Sequence, residues 1–349
     1  MKPRTKPGRS PHAFIYRAGI GLAGTHITCD ATGFPSDLIF LSHARALAPQ
    51  GPAALSGARA GRRQIVTTEQ TLRLLGDAGE RLRTRTLPAA FGRPFNLGDH
   101  RIEAVPTGYL PGSAALLCED EGRRIFYMGA FCPESLVTGV QASEVRRADA
   151  VCVDARCGDP RLVFPPRMEA MARVRGFVQT ALADGQTPVL LASPFGALPA
   201  LAVDLAQAGI TMRAHPRIAA VLTRLRMVCE TLPSPTRFAG RITQGEVLLW
   251  PPEARDASNL VALDHLRFAL VSGTAADPAM LARMRVHAGV AITNLPSCSE
   301  IVTAVEATGA KEVALFNDGA EPLAALLRER GMDAYAMGPP KQMTFLNGS

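Results

Sequence analysis

The run Asp37-Leu38-Ile39-Phe40-Leu41 constrains this chain more than any other stretch. It is apolar after its first residue, β-prone and short, and it reads as a buried strand. It passes straight into Ser42-His43-Ala44-Arg45-Ala46-Leu47-Ala48, where a histidine and an arginine follow the apolar residues without a turn signal between them. Whatever the chain builds, this strand end lies inside it.

Further strands and helices follow in alternation. Ala18 to Asp30 alternates glycine with apolar residues and closes on an acid, as one or two strands would. Gln64 to Thr68 is a strand leading into a helix from Glu69 to Leu75, with Thr67 or Thr68 as its cap. Phe95 to Asp99 is a turn before an alternating strand, Arg101 to Val105. From Pro165 to about Arg285 the pattern changes. A helix at Arg167 to Asp184, a buried strand at Pro188 to Ala192, a helix at Leu198 to Ala208 and an exposed strand at Ile210 to Ala214 follow one another. Gly245 to Trp250 and Phe268 to Gly273 add strands. Strands alternating with helices imply a parallel sheet. Val302 to Thr308 and Glu321 to Arg330 read as late helices, each stopped by a glycine. Asp333 to Leu346 supplies the last strands.

The 349 residues, 47% hydrophobic and 20% charged, suffice for one large domain or two intimately joined ones. No window reaches the roughly 18 uninterrupted apolar residues of a membrane span. The N-terminus is basic but lacks the apolar core of a signal peptide, so a cytoplasmic protein is expected. The seven cysteines show no C-x-x-C spacing and read as reduced, mostly buried thiols. Of the net charge of +7, Lys2, Arg4, Lys6, Arg9 and Arg17 lie in an acid-free, Pro-rich beginning. Residues 1–14 read as a flexible arm that either touches nucleic-acid phosphates or only solubilises the chain.

Six segments, in order, resemble motifs of the β-CASP metallo-β-lactamase nucleases, closest to the bacterial ligase-associated DNA exonuclease and mRNA 3′-end processing branch. Ser42 to Ala48 stands where the family has H-x-H-x-D-H: the first His is His43, while Arg45, Leu47 and Ala48 replace the other ligands. Asp30 matches an acid that orients the metal loop. Pro106 to Ala114 resembles P-A-G-H-x-x-G-S-A, with Tyr109 in place of the ligand His and Ser113 retained. Arg123 to Phe131 resembles a strand ending Y-x-G-D-F, with Ala130 at the bridging Asp. Ala148 to Pro160 resembles A-D-x-L-x-x-E-[AS]-T-Y-G-D-P and carries the acid Asp154. Ala291 to Ile301 resembles S-D-H-A-D-x-x-E-L, with Asn294 and Leu295 at Asp and His. Glu312 to Gly319 resembles V-x-x-V-H-G, the last ligand falling on Asn317 or Asp318.

The resemblance implies an α/β fold: an αββα metallo-β-lactamase sandwich from residues 15–165 and 286–349, with a β-CASP α/β domain inserted at 166–285. It also implies a zinc or manganese pair that generates hydroxide and clamps a phosphodiester. Here those ligands are lost: leucine and alanine offer no lone pair, and a guanidinium repels a cation. A weak mononuclear site of His43, Asp30 and Asp154 remains a poor alternative. His43 reads as a packing histidine. No G-x-S-x-G supports serine catalysis.

The expectation is therefore a catalytically inactive nuclease homologue that serves as a nucleic-acid-binding or scaffold subunit. Arg45, Tyr109 and Ser113 would hold DNA or RNA phosphates, and an active nuclease, ligase or helicase would be the protein partner. Alternatively, Arg45 fills the emptied metal cavity by pairing with Asp154 or Asp30. A residual phosphodiesterase and an interaction module with a filled cleft are the other readings. With 5% aromatic residues and one Trp, a broad base-stacking platform is not expected, and binding would rest on phosphates.

Overall fold

The computed structural model describes residues 11–17, 19–31, 36–46, 55, 63–135 and 140–338. Leu47 and Ala48, most of the basic arm and the strands expected beyond residue 338 lie outside the described residues. The described residues form three sheets and nine α-helices, a mixed α/β architecture. No helix among them is long and apolar enough to cross a membrane.

The first sheet has the strands β1 (Phe14–Tyr16), β2 (Ile20–Leu22), β3 (Ile27–Cys29), β4 (Leu38–Phe40), β5 (Gln64–Thr67) and β6 (Thr86–Pro88), hydrogen-bonded in that order. The helices α1 (Glu69–Leu74) and α2 (Asp77–Leu82) lie between β5 and β6. Thr68 caps α1 by accepting from the Thr71 N–H.

The second sheet starts with β7 (Phe95–Leu97), β8 (His100–Pro106), β9 (Ala114–Asp120), β10 (Arg123–Gly129) and β11 (Ala150–Asp154). It is completed by β18 (Glu312–Phe316) and β19 (Asp333–Met337), with helices α8 (Cys298–Thr308) and α9 (Ala320–Glu329) alongside. Its β7 to β10 half is antiparallel; β10, β11, β18 and β19 run parallel.

Successive strand residues point to opposite faces, which explains why these strands are apolar throughout. Phe40 and Val66 from the first sheet meet Leu116, Ile125 and Tyr127 from the second in one core. Ile39 and Ile65 point the other way, onto Leu72 and Leu82 of α1 and α2. On the far side, Phe126, Val151 and Leu315 meet Ile301 of α8 and Leu327 of α9. The layers are therefore helix, sheet, sheet, helix.

Between β11 and α8 the chain builds a third sheet from α3 (Arg167–Ala183), β12 (Thr187–Leu191), α4 (Leu198–Gln207), β13 (Met212–Ala214), α5 (Pro216–Arg226), β14 (Thr236–Arg237), β15 (Val247–Trp250), α6 (Ser258–Val261), β16 (Leu266–Val271), α7 (Pro278–Met284) and β17 (Ala288–Val290). Its order is β14-β13-β15-β12-β16-β17, parallel throughout. Parallel sheets need cover on both faces. Here α3, α4 and α5 cover one face, while Leu260 of α6 and Met280 of α7 join Trp250 and Phe268 on the other.

Several expectations need correction. The strand at Ile210 to Ala214 is not exposed: Met212 and Ala214 are buried, because β13 lies inside the sheet between β14 and β15. Helix α8 begins at Cys298, four residues before the expected Val302, because Ser297 and Glu300 form a capping box. Ala13 and Phe14, at the end of the expected flexible arm, are buried, and the Ala13 N–H donates to Glu312 at 2.7 Å. The third sheet runs past residue 285, to Val290. All seven cysteines are free thiols, five of them buried.

Candidate functional site

Chains leave a parallel sheet at the carboxyl ends of its strands, and open α/β sheets place ligands there. In this protein the ends of β3 and β4 face the ends of β10, β11 and β18 across a cleft of about 290 Å³. Seven of the residues singled out in the sequence line it: Asp30, His43, Arg45, Tyr109, Ala130, Asp154 and Asn317.

Asp30 follows β3 with a left-handed backbone, φ 53°. Its carboxylate accepts from the Ser42 N–H at 2.8 Å, the Ser42 hydroxyl at 2.5 Å and the Tyr127 hydroxyl at 2.8 Å. Burial raises its pKa to about 6, the nearby Asp154 adds to the rise, and these hydrogen bonds oppose it.

His43 is buried, and its Nδ1 accepts from the Arg45 N–H at 3.1 Å. An accepting Nδ1 places the ring proton on Nε2. Burial, aided by the charges of Arg156 and Arg45, pulls its pKa down to about 3. The imidazole is therefore neutral, standing edge-on to Tyr109 with ring centroids 4.9 Å apart.

Two guanidinium groups reach the cleft. Arg45 lies over the Phe195 ring, 5.3 Å from its centroid, and has no acid partner among the described residues. Arg156 grips Asp154 through Nε at 2.9 Å and Nη2 at 2.7 Å, and sits 5.9 Å from the Tyr109 centroid. Burial works against its charge, but Asp154 and Tyr109 outweigh burial and hold it above the ordinary arginine range. Asn317 completes the set by donating to Asp154 at 2.9 Å.

The expected pairing of Arg45 with Asp154 or Asp30 is not found: Arg156 occupies Asp154, while Ser42 and Tyr127 satisfy Asp30. Ser113 does not reach the cleft either. It is buried in its own turn, where its hydroxyl donates to the Leu110 carbonyl at 2.6 Å and accepts from the Leu110 N–H at 2.8 Å. The turn is held by Gly108 and Gly112, both at positive φ. Asn294 is a buried strut, donating to the carbonyls of Tyr109 at 3.0 Å and Phe195 at 3.1 Å. Leu295 packs with Tyr109, Leu110 and Ala130. Of the two candidates for the last ligand position, Asn317 lines the cleft and Asp318 is exposed outside it.

The zinc or manganese pair implied by the resemblance does not fit these residues. Among the described residues, no three His, Cys, Asp or Glu side chains stand close enough to hold a metal ion. The two cleft carboxylates already accept from protein donors, and two fixed cations share the space.

Sequence reasoning passed over Arg156, Tyr16 and Phe316, which also line the cleft. Arg156 had a visible signal, since a residue two positions beyond a strand-end acid shares its face. Tyr16 had none, because its place depends on β1 pairing with β2.

No family model matches the chain. It is 26% identical over 325 residues to a protein described as a probable DNA ligase from Opitutus terrae. The similar segment covers 89% of this chain but 30% of the ligase, so this chain spans under a third of that relative's length.

Proposed function

We propose that this chain is a non-hydrolytic relative of the β-CASP metallo-β-lactamase nucleases that binds DNA or RNA in the cleft between its first two sheets. The helix–sheet–sheet–helix layering, with a doubly covered parallel sheet between β11 and α8, supports that assignment of the fold. In this reading the unit around the third sheet is the β-CASP insert.

One observation carries the functional reading. Arg45 stands at a ligand position of the family's metal loop and presents a guanidinium to the cleft without an acid partner among the described residues. A guanidinium held in this way suits a phosphate oxygen. The similarity to part of a probable DNA ligase supports a role beside strand joining, with a ligase as the protein partner.

The test is fluorescence anisotropy of the full chain with labelled single-stranded DNA and RNA over a salt series, with cleavage assayed in added zinc or manganese. Binding should weaken linearly in log–log salt plots, and Arg45→Glu should lower affinity by about tenfold or more. Metal-dependent cleavage would overturn the non-hydrolytic reading. Binding untouched by Arg45→Glu, or no binding at all, would overturn the assignment to the cleft.

A further inference from the structure

We infer that the cleft holds one nucleotide, with its base stacked between Tyr16 and Phe316 and its phosphate at Arg45 and Arg156. The inference rests on the nucleic-acid reading above and adds the base, which that reading leaves out.

Aromatic residues are scarce in this chain, yet three of its four tyrosines line this cleft, together with Phe316. Tyr127 is buried beneath the site, and Phe316 stacks on it with centroids 6.3 Å apart and planes tilted by 16°. Tyr16 and Phe316 are both part-exposed. An aromatic face backed by another ring and open on the cleft side is what a base needs for stacking.

Strand order places the two kinds of side chain at opposite ends. In the first sheet Tyr16 lies on β1, while His43 and Arg45 follow β4, three strands away. The ladder row from Tyr16 runs through Ile20 and Cys29 to Phe40, so three spacings of about 4.8 Å put Tyr16 roughly 14 Å from the end of β4, with His43 and Arg45 following three and five residues beyond it. The second sheet repeats the polarity: Phe316 on β18 faces the β1 end, Ala130 after β10 faces the β4 end, and Arg156 after β11 lies between.

A base at the Tyr16 and Phe316 end and a phosphate at the other would span the cleft, where Arg45 lies over Phe195 and Arg156 is held on Asp154. The volume of about 290 Å³ is at the small end of ligand pockets, roughly 300 Å³ and upward, and suits one nucleotide rather than a run of them.

The chemistry of a nucleoside monophosphate is shared by a free nucleotide and by the terminal residue of a strand, so the experiment has an arm for each. Calorimetry on the full chain would compare AMP, adenosine and inorganic phosphate. Single strands carrying 2-aminopurine at the first, a middle or the last position would report stacking by quenching.

AMP should bind about tenfold or more tightly than either fragment, and Tyr16→Ala should remove that advantage while Tyr16→Phe retains it. Quenching confined to a terminal 2-aminopurine would assign the site to strand ends. AMP binding without strand binding would keep the one-nucleotide site and overturn the strand reading. Arg45-dependent strand binding with no quenching at any position, and no AMP preference, would overturn the inference and leave the strand reading standing. The quenching arm needs no variant, so misfolding of Tyr16→Ala cannot mask the outcome.

Discussion

Arg156 holds Asp154 through both of its carboxylate oxygens, with Nε 2.9 Å and Nη2 2.7 Å from Oδ2 and Nε 3.2 Å from Oδ1. Asp154 is 4% exposed, and its carboxylate oxygens are matched by this pairing and by the Asn317 amide. Two residues apart at the end of one strand, the pair neutralises the acid wall of the cleft and leaves Arg45 as its unpaired cation among the described residues.

Removing one partner should therefore cost more than removing both. Arg156→Met strands a buried carboxylate and should destabilise the fold by about 2–4 kcal/mol, less than for a fully buried pair because the guanidinium is partly exposed. The double variant Arg156→Met with Asp154→Leu should recover most of that loss. Urea denaturation of both proteins checks the order, and equal losses would show that the pair does not act as a unit.

Asp30 and His43 should oppose one another in the pH dependence of stability. Asp30 titrates near 6 when folded, against 3.8 ordinarily, so the folded state holds its proton more tightly; its contribution is lost as pH rises from about 4 to about 6. His43 titrates near 3 when folded, against 6.5 ordinarily, so the unfolded state takes the proton more readily. Its contribution is complete above about 6.5 and is lost as pH falls. Between pH 4 and 6 the two slopes, each up to about 1.4 kcal/mol per unit, run in opposite directions. Relative to the parent, Asp30→Asn should make stability climb more with pH there, and His43→Gln should make it climb less. Difference curves from chemical denaturation across pH read this directly.

Glu312 should act as the anchor of the N-terminal strand. It accepts from the Ala13 N–H at 2.7 Å, Arg123 at 2.6 Å and the Tyr335 hydroxyl at 2.8 Å, while itself nearly buried. Glu312→Ala leaves those donors without their acceptor and should cost about 2–3 kcal/mol. Limited proteolysis should then cut near residues 13–17 in the variant before the parent. Unchanged protection there would show that pairing with β2 alone holds the strand.

Gly112 should tolerate no side chain. Its φ is +77°, and a Cβ would lie 2.5 Å from the Gln70 Cβ and 2.7 Å from the Thr71 nitrogen. Its carbonyl also accepts from the hydroxyls of Thr68 at 2.6 Å and Thr71 at 2.9 Å, tying the Tyr109 turn to the start of α1. Gly112→Ala should cost about 2 kcal/mol or more, from a left-handed backbone plus displacement of α1. Thr68→Ala, which removes one tie and the cap, should cost about 1 kcal/mol. Thermal melts of both variants test the ranking.

Much of the architecture was legible in the chain because its signals are local. The apolar run before Ser42, the alternation of strand and helix after Pro165 and the glycine stops of the late helices each follow from neighbouring residues. What failed had non-local causes. Ile210 to Ala214 looked like an exposed strand because so short a run carries little periodicity, and the burial of Met212 and Ala214 comes from β14 and β15 on either side. Ser113 looked available for phosphate because the folding of its turn onto Leu110 does not show in a motif.

Which residues end the strands can be read along the chain, since periodicity and side-chain chemistry act over a few positions. Asp30, His43, Arg45, Asp154 and Asn317 thereby fall at or just beyond strand ends. Which of them meet was decided only by the tertiary structure. Asn317 reaches Asp154 across 163 residues because β18 pairs with β11, and Tyr127 reaches Asp30 because the two sheets pack face to face. Charge partners are chosen by distances of a few ångströms, and those distances come from strand order and sheet packing, which no local run of residues encodes.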